Sequence, residues 1–199
     1  MLKSCYSNEY TEAGCDEVGR GCLAGPVVAA AVILPRDYHN KKLNDSKQLS
    51  KKKLLALKEE IIQDAVCYAI AEASHEEIDK INILKASFLA MHRALDKLSI
   101  RPDLLLIDGN RFIPYQKVLH HCIIKGDGLY SSIAAASVLA KTYRDELMAK
   151  LALEYPYYEW EKNVGYPTKS HRKGIELYGS CPLHRKSFKL LPVQLELFK

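Results

Sequence analysis

Apolar residues cluster in three short runs, at 27–34 (VVAAAVIL), 104–107 (LLLI) and 118–124 (VLHHCII). Runs of this length read as strands, and the lack of alternation predicts a sheet covered on both faces. Residues 66–71 form a weaker strand candidate. The stretch before Asp16 is another, closed by Gly19 and Gly21. Helical spacing fills the intervals. Ser50 is placed to cap a helix whose apolar stripe is Leu54, Leu57 and Ile61. Ser74-His-Glu-Glu77 has capping-box spacing, and Asn82 precedes a stripe of Leu84, Phe88, Met91, Leu95 and Leu98. A long helix is predicted over about 131–153. Its first half is rich in alanine (Ala134, Ala135, Ala136, Ala140), which suits close packing on a sheet. This order predicts an α/β domain with a mixed sheet over residues 1–154. From 155 the chain turns rich in Tyr, Pro, Gly, Lys and His. Residues 155–199 therefore read as a small, mainly helical basic extension and not as a second independent domain.

Composition adds bounds. With 199 residues the chain buries enough surface to fold without disulfide or metal staples. Its formal net charge of +5 leans towards acidic partners such as nucleic acid. None of the six cysteines (Cys5, Cys15, Cys22, Cys67, Cys122, Cys181) forms a C-x-x-C pair, which argues against zinc and for reduced thiols in a cytoplasmic protein. The opening MLKSCYSNEY has no apolar signal core, and the run at 27–34 is too short to span a membrane.

The acids carry the candidate chemistry. Asp16 and Glu17 lie between Gly14 and Gly19, Asp108 follows LLLI directly, and Asp127 sits in Lys125-Gly-Asp-Gly128 after CII. In open α/β sheets, ligand sites gather at strand ends and the turns after them. Clustered carboxylates repel one another unless a cation compensates, and oxygen-only ligands suit Mg²⁺ or Mn²⁺. Two such ions clamp the attacking and leaving oxygens of a phosphodiester. The plain reading of an Asp-Gly pair remains a turn, and neighbours on a regular strand, such as Asp16 and Glu17, point to opposite faces.

Five segments in order resemble one family. They are Cys15-Asp-Glu-Val-Gly-Arg-Gly-Cys-Leu-Ala-Gly-Pro-Val27, Asn44-Asp-Ser-Lys-Gln-Leu49, Leu106-Ile-Asp-Gly-Asn110, Lys125-Gly-Asp-Gly with Ser132-Ile-Ala-Ala-Ala-Ser-Val-Leu-Ala-Lys141, and Gly165-Tyr-Pro-Thr168 with Leu183-His-Arg-Lys-Ser-Phe188. Together they resemble the type 2 ribonuclease H family, in its bacterial ribonuclease HII branch. Val18 and Cys22 depart from the family, which usually has Ala and commonly Pro there. The resemblance implies a ribonuclease H-like fold with a mixed five-stranded sheet. It implies Asp16, Glu17, Asp108 and Asp127 as metal-binding catalytic carboxylates. It also implies cleavage of the RNA strand of RNA–DNA hybrids, and nicking 5′ to single ribonucleotides embedded in duplex DNA, with 3′-hydroxyl and 5′-phosphate ends.

Other residues take roles from the same resemblance. Gly19, Arg20 and Gly21 resemble a loop whose peptide groups sense the 2′-hydroxyl, the group that marks RNA. Tyr166 resembles a residue that stacks on the next sugar, and Lys47 a phosphate contact. Arg185, with the basic run Lys169, His171, Arg172 and Lys173, is expected to meet the duplex backbone without reading sequence. His120 and His121 read as strand filler. The tail Gln194-Leu-Glu-Leu-Phe198 resembles the pentapeptide that docks on the sliding clamp, with Gln194, Leu195, Leu197 and Phe198 as contacts. Two other readings stay open: a structure-specific DNA endonuclease of the same fold, and a non-catalytic nucleic-acid-binding module.

Overall fold

The computed structural model describes residues 1–44 and 49–191. Lys47 and the tail residues Gln194, Leu195, Leu197 and Phe198 lie outside the described residues. Five strands, β1 (Glu12–Val18), β2 (Val27–Ile33), β3 (Cys67–Ala73), β4 (Leu104–Asp108) and β5 (Leu119–Ile123), form one sheet in the order β3-β2-β1-β4-β5. The first three make an antiparallel meander, and β4 and β5 run parallel to β1. The expected mixed five-stranded α/β sheet is therefore present. Among the described residues seven helices accompany it: α1 (Lys41–Asn44), α2 (Lys51–Asp64), α3 (His75–Ile81), α4 (Ile83–Asp96), α5 (Ser131–Glu154), α6 (Trp160–Asn163) and α7 (Lys169–Tyr178).

Every residue of β2 is buried, as its unbroken apolar run requires of a strand covered on both faces. Odd-numbered β2 residues pack with Phe88, Met91 and Leu95 of α4. Even-numbered ones pack with Leu57 and Ile61 of α2 and Ala135 and Leu139 of α5. Helix α3 opens on the predicted capping box, with Ser74 Oγ accepting from Glu77 N at 3.2 Å and Glu77 Oε2 accepting from Ser74 N at 2.9 Å. Asn82 caps α4, its Oδ1 accepting from Leu84 N and Lys85 N.

Three expectations change. The strand candidate before Asp16 does not stop there: β1 runs on through Asp16 and Glu17 to Val18. Ser50 precedes α2 in an extended conformation, but its hydroxyl accepts no cap hydrogen bond. The run at 118–124 is not a buried strand. β5 is the last strand of the sheet and only partly covered, with Leu119 and Ile124 exposed at its ends. An outer strand has one uncovered edge, and the histidines there suit it. His121 stacks on Tyr6 and His120 meets Phe112 edge-on.

Helix α5 comes very close to β1. A Cβ placed on Gly14 would lie 2.2 Å from the carbonyl carbon of Ser132 and 2.4 Å from the amide nitrogen of Ile133. Only a glycine allows this backbone-to-backbone approach. Farther along, α5 leaves the sheet, and Met148 and Ala152 join Leu23, Ala24, Tyr158, Trp160 and Ile175 in a third apolar cluster. This cluster binds the helices after residue 155 to the loop between β1 and β2. Among the described residues no helix is long and apolar enough to cross a membrane.

A Gly14→Ala substitution must push α5 off β1, because backbone atoms cannot yield as a side chain does. It is expected to cost about 2–3 kcal/mol, as overpacking in a tight core does. Urea unfolding of the variant beside the parent protein measures this; an unchanged midpoint would show the helix is free to move.

Candidate active site

Parallel pairing of β1 with β4 sets the positions of two acids. Cys15 is in register with Ile107, so the next residues on each strand, Asp16 and Asp108, end up side by side. Both belong to the sheet face covered by α5. Gly14, two residues before Asp16, packs on the start of that helix, and Leu104 and Leu106 pack with Ile133. Asp16 is only 7% exposed. Ser137 of α5 stands beside its carboxyl and opposes the rise in its pKa, and Asp16 Oδ1 accepts from Glu17 N at 2.7 Å. Burial raises its pKa well above the ordinary carboxylate value, and the nearby charges of Glu17 and Asp108 push the same way.

Glu17 is raised as well, first by burial and then by Asp108, with Arg20 opposing. Arg20 Nη1 donates to Glu17 Oε1 at 2.9 Å. Alternation along β1 therefore does not keep Glu17 away from the other acids: close to the strand end, its carboxylate still feels Asp108. Asp127 sits on a 3-10 turn, Gly126–Gly128, two residues beyond the end of β5. The amide of Gly126 donates to Asp108 Oδ1 at 2.7 Å, which ties that turn to the acid cluster.

Three acids thus share one electrostatic neighbourhood, and the turn carrying the fourth is bonded to one of them. They do not form a closed cage: among the described residues no group of three or more His, Cys, Asp or Glu side chains is arranged to hold an ion alone. The donor set nevertheless fits a hard divalent cation. It is all oxygen, and its ionised form is held back by desolvation and mutual repulsion, both of which a cation relieves. Mg²⁺ in particular is usually held by one or two carboxylates together with substrate phosphates and water, so a site open on one side is what it needs.

The Gly19–Gly21 loop borders these acids. Gly19 is buried with φ +90°, while Arg20 and Gly21 are exposed. A Cβ on Gly21 would meet the Tyr166 ring at 3.9 Å, so Tyr166, itself 40% exposed, stands beside the loop. The loop thus joins Glu17 on one side, through Arg20, to Tyr166 on the other.

Two sequence expectations are corrected below the surface. Arg185 does not face outward. It is completely buried, and its guanidinium donates to the carbonyls of Gly19, Arg20 and Gly25. His171 is buried too. Its Nδ1 lies 2.9 Å from the Tyr166 carbonyl and must carry the proton, since a carbonyl only accepts. Its Nε2 then accepts from Trp160 Nε1 at 3.0 Å and from His184 Nε2 at 3.1 Å. His184 Nδ1 in turn accepts from Cys181 N at 3.0 Å. Both rings are fully used as neutral imidazoles, and an added proton would face a donor at either position.

Sequence reasoning passed over Arg144, His184 and Ser137. For Arg144 a signal existed. Ala136, Ala140, Arg144, Met148 and Ala152 share one helical stripe at spacing four, so a lone arginine sits in an apolar stripe. Arg144 is wholly buried, with three donors on the carbonyls of Ala24, Pro26 and Val164.

Sheet order, covering helices and strand-end acids define a ribonuclease H-like enzyme fold. Crystallised ribonuclease H2 from Pyrococcus horikoshii superposes with a TM-score of 0.74 at 25% identity, covering 90% of this chain and 94% of that one. The Bst-RNase HIII structure solved in complex with Mn²⁺ superposes at 0.68 with 22% identity, covering 90% of this chain and 67% of that one, and so speaks for the fold. The family model for ribonuclease HII matches residues 13–191. The ribonuclease HII of Parabacteroides distasonis is 64% identical over 99% of both chains, and that of Bacteroides fragilis 62% identical over 100% of this chain and 99% of its own. The chain belongs to the ribonuclease HII family, and is a ribonuclease H-type hydrolase.

Burial and the neighbouring His171 pull His184 down to about 4. The unfolded chain takes up that proton near 6.5, so between roughly 6.5 and 4 it binds more protons than the folded one. Stability from this group is complete above pH 6.5 and falls as the pH drops. From pH 7 to pH 5 the loss is about 2 kcal/mol. Urea titrations at the two pH values should show it, and His184→Leu, less stable at pH 7, should lose most of this dependence. An equal dependence in the variant would assign it to other groups.

Proposed function

We propose that this protein nicks duplex DNA 5′ to a single embedded ribonucleotide, and cuts the RNA strand of hybrids, by two-metal-ion hydrolysis that leaves 3′-hydroxyl and 5′-phosphate ends. One observation carries the reading: the raised, mutually repelling Asp16 and Glu17 stand beside Asp108 at the edge of a glycine loop and an exposed tyrosine. Asp16, Glu17 and Asp108 would hold the metal, Mg²⁺ or Mn²⁺, with Asp127 completing the set. When bound, the ions supply an activated water and a clamp on the attacking and leaving oxygens.

The chain's own residues do the rest. Ser137 and the Glu17 amide orient the Asp16 carboxylate, and Gly126 orients that of Asp108. Arg20, whose guanidinium is half exposed, would exchange its bond to Glu17 for one to the phosphate backbone once a divalent ion is held there. The loop amides meet the 2′-hydroxyl, and Tyr166 packs on the following sugar, favouring a deoxyribose there. Lys47 would add a phosphate contact. Residues 155–199 serve as the substrate-binding extension, and the protein works as a cytoplasmic monomer. A DNA endonuclease of the same fold has no use for a 2′-hydroxyl sensor, and a passive binding module has no use for buried acids that repel phosphate. We also assign the tail residues Gln194, Leu195, Leu197 and Phe198 to the sliding clamp. In support, the Archaeoglobus fulgidus ribonuclease HII, of the same fold, was solved as a complex with PCNA.

A duplex with one ribonucleotide, with Mg²⁺, with Mn²⁺ and with chelator, is the decisive assay: cleavage 5′ to that nucleotide with either metal, none with chelator and none in all-DNA. Asp16→Asn and Asp108→Asn should each lower turnover at least a thousandfold. Because ionising Asp16 in the folded protein costs free energy at neutral pH, D16N should also melt no lower than the parent without metal. Full turnover in either variant would refute the assignment. Deleting residues 194–199 should abolish clamp pull-down and leave cleavage intact; retained clamp binding would dismiss the tail.

A further inference from the structure

Arg144 and Arg185 are both completely buried, and among the described residues neither forms an ion pair with a carboxylate. A buried charge without a counter-charge is costly unless its donors are met. Here backbone carbonyls meet them, and nearly all of those carbonyls belong to one loop. Arg185 Nη2 donates to Gly19 O at 2.7 Å, Nη1 to Arg20 O at 2.9 Å and Nε to Gly25 O at 3.0 Å. Arg144 holds Ala24 O and Pro26 O, and reaches across to Val164 O, two residues before Tyr166.

The peptide bonds of this loop are trans. In a trans peptide the N–H points opposite to the preceding C=O. With the Gly19 carbonyl drawn inward, the Arg20 amide must face outward. With the Arg20 carbonyl drawn inward, the Gly21 amide must do the same. Both amides then stand on the exposed side, next to Tyr166 on one flank and Glu17 on the other. Among the described residues no backbone carbonyl accepts from either. Two successive outward amides make a concave donor site for a single oxygen.

We propose that Arg185 is a positioning residue for recognition of the 2′-hydroxyl: it fixes two peptide planes from beneath, so that the Arg20 and Gly21 amides are preset to donate to that oxygen. The inference rests on the endonuclease reading above. Arg185 never touches the substrate; it removes the need to order the loop at the moment of binding. Gly19 completes the device, since a Cβ there would lie 2.3 Å from Arg144 Nε and prise the loop off both guanidinium groups. Burial beside Arg144 pulls Arg185 down to about 10, which still leaves it cationic at neutral pH.

The test compares affinities for a DNA duplex with one ribonucleotide and for the same all-DNA duplex, with Ca²⁺ so that binding is read without turnover. Arg185→Met should fold, keep its all-DNA affinity within about threefold, and lose the preference for the ribonucleotide at least tenfold. Arg185→Lys should recover part of it, since an ammonium can hold one or two carbonyls but cannot span three. A merely structural arginine predicts otherwise: both affinities fall together, or the preference survives in R185M, and either result overturns the proposal. Failure of both variants to fold also overturns it, because Arg185 would then hold up the domain and not the sensor. If the parent protein itself shows no preference for the ribonucleotide duplex, the endonuclease reading fails first, and that outcome is visible before any variant is made.

Discussion

The contact of α5 with β1 at Gly14 governs what the rest of the molecule can do. One missing side chain lets the helix lie against the central strand, backbone on backbone. From that contact α5 runs past the site and delivers three residues in turn. Ser137 reaches Asp16, Arg144 reaches the loop between β1 and β2, and Met148 enters the cluster that anchors the C-terminal helices. Tilting one rigid rod would displace all three, so the acids, the loop and Tyr166 are placed by a single packing decision.

Charge is arranged in two layers around this helix. Acids crowd the outer layer, where burial and repulsion disfavour their ionised forms. Uncompensated arginines occupy the inner layer, under the loop. Neither layer is a good arrangement for a protein that must only be stable: acids without a cation and guanidinium groups without anions both spend folding free energy. On the function proposed above, each would become favourable when a polyanion and divalent ions arrive together. The molecule gives up stability at the place where it gains binding, a common trade at functional sites.

How much of this could be read in the sequence follows from how local each signal is. Strands β2 and β4 were legible because an unbroken apolar run has few other uses, and α3 and α4 because capping residues mark their own helices. β1 was harder, since EAGCDEV mixes acids into a central strand and the apolar alternation fails there. The partial exposure of β5 has no local signal, because its position at the sheet edge is a property of the whole topology. Of the candidate site, the four acids stood out as strand-end residues, but only family resemblance lifted them above ordinary turns. The burial of Arg185 is hidden for a plain reason: arginine in a basic stretch reads as surface, and nothing local shows that three carbonyls enclose it. Arg144 did leave a trace, as the odd residue in an alanine stripe. The histidine pair left none, because His171 and His184 meet only through tertiary packing.

Parallel pairing of β1 with β4 has a temporal side. β1, β2 and β3 neighbour one another in sequence and can zip up as a meander while synthesis is under way, but that piece holds just Asp16 and Glu17. Asp108 joins them only after a crossover of more than eighty residues has closed, a slow, non-local event. A growing chain is therefore spared the repulsion of the assembled acids until β4 has been made and has paired with β1, and, on the function proposed above, a chain cut short before that point would lack the carboxylates needed to cut any nucleic acid near it.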